Sequence, residues 1–215
     1  MSVNRNDLSR RSFIQHASAA FVLPVVGFQL IGCSSNRLLA HSPTGGNKTS
    51  PASWSVRIVG DEEPGQPLIV SGTIYSPDGQ KPLEGINLYV YQTDATGVYS
   101  TSGSGNNRNT RIHGLMTTNA EGRYEFRTIR PASYPGTKIP AHIHAFVSGP
   151  GYPEYWIDEY HFDDDPLVTS EMRQKASALV GTFCPIVKVT KGSDGILRAT
   201  RDIKIERCSN NCTGH

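Results

Sequence analysis

The sequence shows no strong excess of charge of one sign. Lys and Arg number 21 and Asp and Glu 19 among 215 residues, which leaves a formal net charge of +2. There is also no block of Lys and Arg of the kind that marks a nucleic-acid-binding surface. We therefore expect no nucleic-acid partner.

Long apolar runs are equally scarce. Hydrophobic residues make up 37% of the chain and the mean hydropathy is -0.37, values that argue against a multi-span membrane protein. The one extended apolar run, at residues 17–31, is interrupted by Pro24 and Gly27. It is shorter than the about 20 apolar residues that an ordinary spanning helix requires.

The N-terminus instead resembles an export signal. A pair of arginines, Arg10 and Arg11, precedes the apolar run, which is the pattern of a twin-arginine signal. The run ends in Leu-Ile-Gly-Cys at residues 30–33, which resembles a bacterial lipoprotein cleavage box. We expect cleavage before Cys33, lipid on its sulfur, and a membrane-anchored lipoprotein on the periplasmic or extracytoplasmic side. A plain export signal with a chance cysteine is the alternative.

Composition divides the chain into four parts. A polar stretch rich in Ser, Pro and Gly follows Cys33 and is typical of a flexible linker. The predicted parts are a twin-arginine signal with a lipoprotein box at 1–33, a linker at 34–53, a β-sandwich at 54–207 and a C-terminal tail at 208–215.

Three further cysteines, Cys184, Cys208 and Cys212, follow Cys33. An oxidising compartment permits a disulfide among them. Cys208 and Cys212 could close a small loop, or Cys184 could pair with either one. Three cysteines cannot all pair, and the spacing does not choose between these pairings.

From Trp54 onward the dominant period of the apolar residues is two. In residues 86–91, for example, Ile, Leu and Val alternate with Asn, Tyr and Tyr, so one strand face is apolar and the other aromatic and polar. Only residues 167–180 have helical spacing, and there is neither a βαβ rhythm nor an internal repeat. Seven or more short strands separated by turn residues predict an all-β sandwich or barrel with at most one short helix.

Two histidines and two tyrosines are the candidate metal ligands. His142 and His144 are two residues apart in a predicted strand, so both side chains leave the same face. Such a pair is as often a polar surface pair as a metal site. Tyr134 lies eight residues earlier, within a loop that spans up to about 27 Å when extended and can fold back. Tyr99 follows the strand at residues 86–93.

Several segments together carry a family resemblance. In chain order they are LYVYQ at 88–92, GVY at 97–99, GRYEFRTIRP at 122–131, YP at 134–135, PAHIH at 140–144 and YHFDDDPL at 160–167. This set resembles the intradiol dioxygenases that cleave catechol and protocatechuate. The resemblance runs from about residue 69 to residue 185 and implies a β-sandwich with long active-site loops.

The resemblance also implies a cofactor, a single non-haem Fe(III) ion held by two tyrosinates, two histidines and a hydroxide. By position, Tyr99 and His142 would be equatorial and Tyr134 and His144 axial. A phenol with an ordinary pKa near 10 ionises when it binds a trivalent ion, and imidazole suits iron. The implied reaction inserts both atoms of O2 into a catechol-type aromatic and gives a muconate-type product, with Tyr134 as a catalytic proton acceptor and no organic cofactor.

Two positions of the implied substrate pocket differ from the family pattern, and a third lies next to one of them. Ile139 stands where the family usually has an arginine, and Lys138 beside it points the opposite way in an extended segment. Glu159 stands where a glutamine is common, and its charge would repel an anionic peroxide unless it is protonated. A non-catalytic β-sandwich lipoprotein that binds a metal or an aromatic ligand is therefore the alternative. A zinc site is disfavoured because tyrosines are unusual zinc ligands.

Overall fold

A computed structural model describes residues 53–100, 107–179 and 181–206. The strands are β1 Ser55–Arg57, β2 Pro67–Tyr75, β3 Asn87–Gln92, β4 His113–Thr117, β5 Arg123–Ile129, β6 His142–Gly149, β7 Tyr152–Phe162, β8 Ile186–Val187, β9 Val189–Lys191, β10 Leu197–Thr200 and β11 Ile203–Lys204. One α-helix, α1, spans Ser170–Ala176, and 3-10 turns lie at Asn107–Asn109 and Gly181–Phe183. The predicted signal, nearly all of the predicted linker and the tail fall outside these ranges.

The strands form two sheets. The first has the order β1-β5-β2-β10-β9, with β11 also paired to β2, and the second has the order β4-β3-β6-β7-β8. Among the described strands, five pairs are antiparallel, and four are parallel: β1 with β5, β2 with β10, β2 with β11 and β7 with β8. The predicted all-β sandwich is confirmed.

The alternation of side chains decides what lies between the sheets. In β3, Leu88 and Val90 are fully buried, whereas Tyr89 between them is only partly buried and faces outward. The core contains Leu68, Val70, Ile74, Leu88, Val90, Met116, Tyr124, Phe126, Ile143, Ala145, Val147, Tyr160 and Phe162. The outer face of the second sheet is left free to carry polar and aromatic groups.

The helix is shorter than its spacing predicts. Helical character was expected over residues 167–180, but α1 spans only Ser170–Ala176. Thr169 caps its start, since its hydroxyl accepts a hydrogen bond from the backbone N–H of Met172 at 3.2 Å. The hydroxyl of Ser177 bonds back to the carbonyl of Gln174 at 2.6 Å, where the helix ends. In the described ranges, no helix is long and apolar enough to cross a bilayer.

Strand β7 contains an irregularity that matters for the site. Ile143 of β6 faces Tyr160, but Ala145, two residues on, faces Ile157, so β7 carries one extra residue. An extra residue of this kind is a β-bulge, which interrupts the alternation and redirects a side chain. Glu159 lies on the outer face by the ordinary alternation with Tyr160, which is buried in the core. The extra residue brings Trp156 onto the same outer face, beside His144.

Candidate metal centre

Two tyrosines and two histidines bring their functional atoms to one point. The hydroxyl oxygens of Tyr99 and Tyr134 are 2.7 Å apart. The Tyr134 oxygen lies 3.1 Å from Nε2 of His142 and 3.2 Å from Nε2 of His144. The two Nε2 atoms are 3.1 Å apart, and Nε2 of His144 lies 2.7 Å from the Tyr99 oxygen.

Strand β6 supplies the two imidazoles. His142 and His144 are 6% and 8% exposed and face outward, while Ile143 between them is buried in the core. Tyr91, directly opposite His144 on β3, stacks on its ring at a centroid distance of 4.5 Å. The Trp156 ring meets the same imidazole edge-on at 5.0 Å. These aromatic contacts restrict the plane of the His144 ring.

Each imidazole turns its Nε2 atom towards the phenols because a partner occupies its Nδ1 side. Nδ1 of His142 lies 2.7 Å from the carbonyl oxygen of Pro140, which can only accept a hydrogen bond. Nδ1 of His144 lies 2.7 Å from Oε1 of Glu159, although its N–H is poorly aligned with that oxygen. With protons on both Nδ1 atoms, the lone pairs of both Nε2 atoms point at the phenol oxygens.

The loop after β3 positions Tyr99. The Oδ1 atom of Asp94 accepts hydrogen bonds from the backbone N–H groups of Thr96 and Val98, at 2.8 and 3.2 Å. Gly97 adopts a left-handed conformation with φ of 81°. The sequence Asp-x-x-Gly favours this turn, because the Asp side chain accepts the backbone N–H groups and glycine readily adopts the left-handed conformation.

The two tyrosine loops are tied to each other. The hydroxyl of Thr93 donates to the carbonyl of Ala132 at 2.9 Å, and the N–H of Ala132 donates to the carbonyl of Asp94 at 3.1 Å. A Cβ atom at Gly97 would lie 2.0 Å from the carbonyl oxygen of Ser133, so only glycine permits this approach. The separation of the two phenols is therefore set by backbone contacts.

A buried carboxylate fixes the start of β6. Asp165 is 7% exposed, and its Oδ2 atom accepts a hydrogen bond from the N–H of Ala141 at 2.8 Å. Its Oδ1 atom accepts from the N–H of Leu167 at 2.8 Å. In the run of three aspartates at 163–165, Asp163 likewise accepts a backbone N–H, that of Val189, and Asp164 pairs with Arg130. Asp165 thus holds the residue directly before His142.

Burial keeps both phenols in the neutral form when no metal is bound. It is the largest effect on the pKa of Tyr99, which lies well above its usual value, and the hydrogen bond with Tyr134 raises that pKa further. Burial also raises the pKa of Tyr134, and its hydrogen bond with Tyr99 offsets only part of the increase. A bound cation would have to displace both phenolic protons.

Glu159 is ionised at neutral pH. Burial on its own raises the pKa of the carboxyl, but interactions with the three neighbouring imidazoles outweigh burial and hold the pKa below its usual value. Glu159 is therefore not protonated at neutral pH, and its charge would repel an anion bound beside it. Its carboxylate places a negative charge beside His144 at neutral pH.

The four donor atoms fit a single metal ion. Ligands about 2.0–2.1 Å from one ion stand about 2.9 Å apart at right angles and about 3.3 Å apart at tetrahedral angles. Five of the six separations among the four atoms run from 2.7 to 3.2 Å. His142, His144 and Glu159 also form a compact cluster, with ligand atoms within 4.8 Å of one another. Glu159, however, meets His144 on Nδ1, the side away from the phenols, so it is an outer partner of the four-atom set.

The remaining predicted positions lie in different places. Glu159 lies beside the four donors, whereas Lys138 and Ile139 are exposed on the loop before β6, with Ile139 45% exposed. Cys184 is partly buried and is the only cysteine in the described ranges. Cys33 and the other two cysteines fall outside those ranges, so the lipid and disulfide predictions stay predictions.

Sequence reasoning missed several residues around the site. The alternation in residues 86–91 assigned Tyr91 only to the aromatic face of its strand, and no role was assigned to Trp156 or His161. His161 lies opposite His142 with its side chain 15% exposed, and burial lowers its pKa. Pairing register could have placed Tyr91 beside His144, whereas the bulge in β7 has no signal in the sequence.

Comparison with known proteins identifies the family of this chain. A family model described as "Dioxygenase" matches residues 41–194 of this chain. The chain belongs to the intradiol dioxygenase family. It is 31% identical to catechol 1,2-dioxygenase 1 of Acinetobacter lwoffii over 154 residues. The match covers 63% of this chain and 47% of the relative. The chain thus spans about half the length of the curated dioxygenases that it matches.

Solved dioxygenases share the fold. The dioxygenase domain of a dioxygenase and carbohydrate-binding protein fusion from Streptomyces sp. SirexAA-E is 28% identical, with a TM-score of 0.54, and the match covers 76% of this chain and 96% of that domain. Catechol 1,2-dioxygenase from Acinetobacter sp. ADP1 matches with a TM-score of 0.56 over 74% of this chain and 60% of that chain. At 23% identity the latter supports the fold alone.

We predict that Gly97→Ala separates the two tyrosine loops. The new methyl group would meet the carbonyl of Ser133, in addition to the strain of a left-handed residue, about 1 kcal/mol. Hydrogen exchange of the Ala132 amide, which bonds across the loops, should accelerate at least tenfold, and the midpoint of urea unfolding should fall.

Gly136→Ala is the matched control. Gly136 has a φ of 73° but no atom within 4 Å of an added Cβ, so this variant carries the same backbone strain without the clash. Equal exchange rates of the Ala132 amide in the two variants would show that the contact with Ser133 does not hold the loops together.

We also predict that the phenols of Tyr99 and Tyr134 ionise late in metal-free protein. Because burial raises both pKa values, both rings should stay neutral as the pH rises through the value of free tyrosine near 10. The measurement is a titration of tyrosine Cζ carbon shifts by NMR, with the two signals assigned through Tyr99→Phe and Tyr134→Phe. Ionisation of either ring below pH 9.5 would contradict the prediction.

Proposed function

We propose that this protein binds one Fe(III) ion through Tyr99, Tyr134, His142 and His144 and cleaves a catechol-type aromatic between its two hydroxyl groups with O2. The observation that carries the proposal is the convergence of two phenol oxygens and two Nε2 atoms to separations of 2.7–3.2 Å. Membership of the intradiol dioxygenase family, whose members use non-haem iron, supports the choice of metal and of reaction.

The donor set matches a trivalent ion in charge. Tyr99 and Tyr134 would contribute two negative charges as phenolates, and the imidazoles contribute none. When bound, ferric iron would supply the Lewis acidity and one-electron chemistry that make a catecholate reactive towards O2. Both imidazoles are already held with Nε2 facing the phenols, so binding requires no change of tautomer.

Tyr134 is the donor best placed to exchange a proton with a substrate. His142 and His144 are buried in a strand paired on both sides, and Tyr99 is tied to the Asp94 turn. Tyr134 instead precedes an exposed segment, residues 135–139. We therefore assign to it the role of proton acceptor for a catechol hydroxyl, because its oxygen can leave the cluster with the least disruption of packing.

The substrate class is inferred from the relatives. The similar enzyme of A. lwoffii is named as acting on catechol, and two adjacent hydroxyls are the groups that can occupy neighbouring positions on one ion. Exposed Ile139 cannot donate a hydrogen bond to a developing negative charge, so we expect slower turnover than an arginine at this position would allow. Complete loss of turnover would leave the alternative, a non-catalytic metal-binding or aromatic-binding protein.

The test is colour followed by oxygen uptake. Purified protein should contain one iron per chain and be red-brown from tyrosinate-to-iron charge transfer, with a band that shifts on adding catechol. Tyr134→Phe and His142→Ala should each weaken the band and iron binding, because each removes a donor, whereas Tyr75→Phe, on another strand, should change neither. Colourless protein without iron would overturn the metal assignment, and coloured protein without oxygen uptake would overturn the enzymatic one.

We further propose that the protein is exported by the twin-arginine route and anchored through lipid on Cys33. The arginine pair and the lipoprotein box support this localisation. Several acyl chains, at about 0.8 kcal/mol per buried methylene, would hold the domain at a membrane.

Mass spectrometry of the mature protein should show an N-terminal acylated cysteine at position 33. Cys33→Ala should lose the added mass, whereas Cys184→Ala should retain it. An unmodified protein that retains residues 1–33 would contradict the proposal.

A further inference from the structure

Three imidazoles surround the carboxylate of Glu159. Its Oε1 atom lies 2.7 Å from Nδ1 of His144 and 4.0 Å from Nε2 of His142, and its Oε2 atom lies 3.8 Å from Nε2 of His161. The Glu159 side chain is 27% exposed, and those of the three histidines are between 5% and 15% exposed. A charge in such a position acts on the histidines with little screening by solvent.

A rigid support holds Glu159 there. Tyr160 beside it is buried in the core, so the alternation of β7 places the Glu159 side chain on the face that carries the histidines. At the bulge, the carbonyl of Asp158 accepts a hydrogen bond from Nη1 of Arg201 at 2.7 Å. Arg201 is 4% exposed, and its guanidinium lies over the Tyr160 ring at 4.5 Å. Arg201 therefore holds the backbone on both sides of Glu159 and limits the movement of its carboxylate.

The two metal-facing histidines differ in their outer partners. His142 meets a carbonyl, that of Pro140, whereas His144 meets a carboxylate. Both partners require a proton on Nδ1, because neither can donate. Only the carboxylate adds charge, and it adds it without occupying a place among the four donor atoms.

We propose that Glu159 is a positioning residue that holds His144 with its proton on Nδ1 and its Nε2 lone pair on the metal, and that makes the centre more negative than its four donors alone. The second part rests on the proposed function, whereas the first concerns the metal-free protein as well. Outer carboxylate partners of this kind orient a histidine and increase its strength as a ligand.

Two substitutions separate the two effects. Glu159→Gln keeps an oxygen that can accept the Nδ1 proton but removes the charge. Glu159→Leu removes both. Asp158→Asn is the matched control. It also removes one negative charge, but from the neighbouring residue, whose side chain is exposed.

The first measurement uses metal-free protein at pH 8.5 and the nitrogen-15 shifts of the His144 ring. The wild type, Glu159→Gln and Asp158→Asn should all show mainly the Nδ1–H form. Glu159→Leu should show a large population of the Nε2–H form. The same tautomer in all four proteins would overturn the positioning role, whatever the protein binds.

The second measurement uses iron-loaded protein in competition with a chelator. Glu159→Leu should bind Fe(III) about 10–100-fold more weakly, the usual effect of losing an outer partner, and Glu159→Gln should fall between it and the wild type. Asp158→Asn should stay within about threefold of the wild type. The reduction potential should rise in Glu159→Gln, because lost negative charge favours the divalent ion.

The results distinguish the two proposals. Wild-type protein that takes up no iron would overturn the proposed function and leave the tautomer measurement as the test of positioning. Iron-loaded wild type with unchanged affinity and potential in Glu159→Gln would overturn the charge contribution alone. If Glu159→Leu fails to fold, Glu159→Gln still tests the charge, and Glu159→Met, which is closer in shape, tests the tautomer.

Discussion

The site depends on one constraint, that four polar atoms from three separate chain segments meet at one point, each within 3.2 Å of at least two of the others. No single segment can satisfy it. Strand β6 brings the imidazoles, and two loops that begin at different strands bring the phenols. The backbone bonds between Thr93, Asp94 and Ala132 convert the two loops into one unit, so the distance between the phenols does not rely on the phenols themselves.

Much of the fold was predictable because period two is a strong signal when one face of each strand is buried. The same signal predicted that His142 and His144 share one face. The structure confirms this, because Ile143 between them points the opposite way, into the core. The meeting of the tyrosines with the histidines was expected only by resemblance. Spacing allows an eight-residue loop to return but does not require it, and the tie at Ala132 is a tertiary contact that no local pattern reveals.

The features that escaped prediction share a physical origin. A bulge in β7, a buried carboxylate at Asp165 and the stack of Tyr91 on His144 are all consequences of pairing between distant strands. Local propensity carries no information about them. Glu159 shows this most clearly, because the sequence marked the unusual residue and only the structure shows that it meets His144 on Nδ1 and is ionised.

The donors lie on the outer side of a sheet whose inner side is the hydrophobic core. The groups that make the domain fold and the groups that meet a ligand are therefore different side chains of the same strands. Ile139, exposed on the loop before β6, can vary without disturbing the core beneath. Substitutions at exposed positions of this kind can alter what the outer face binds at little cost in folding stability, because the core that stabilises the domain stays intact.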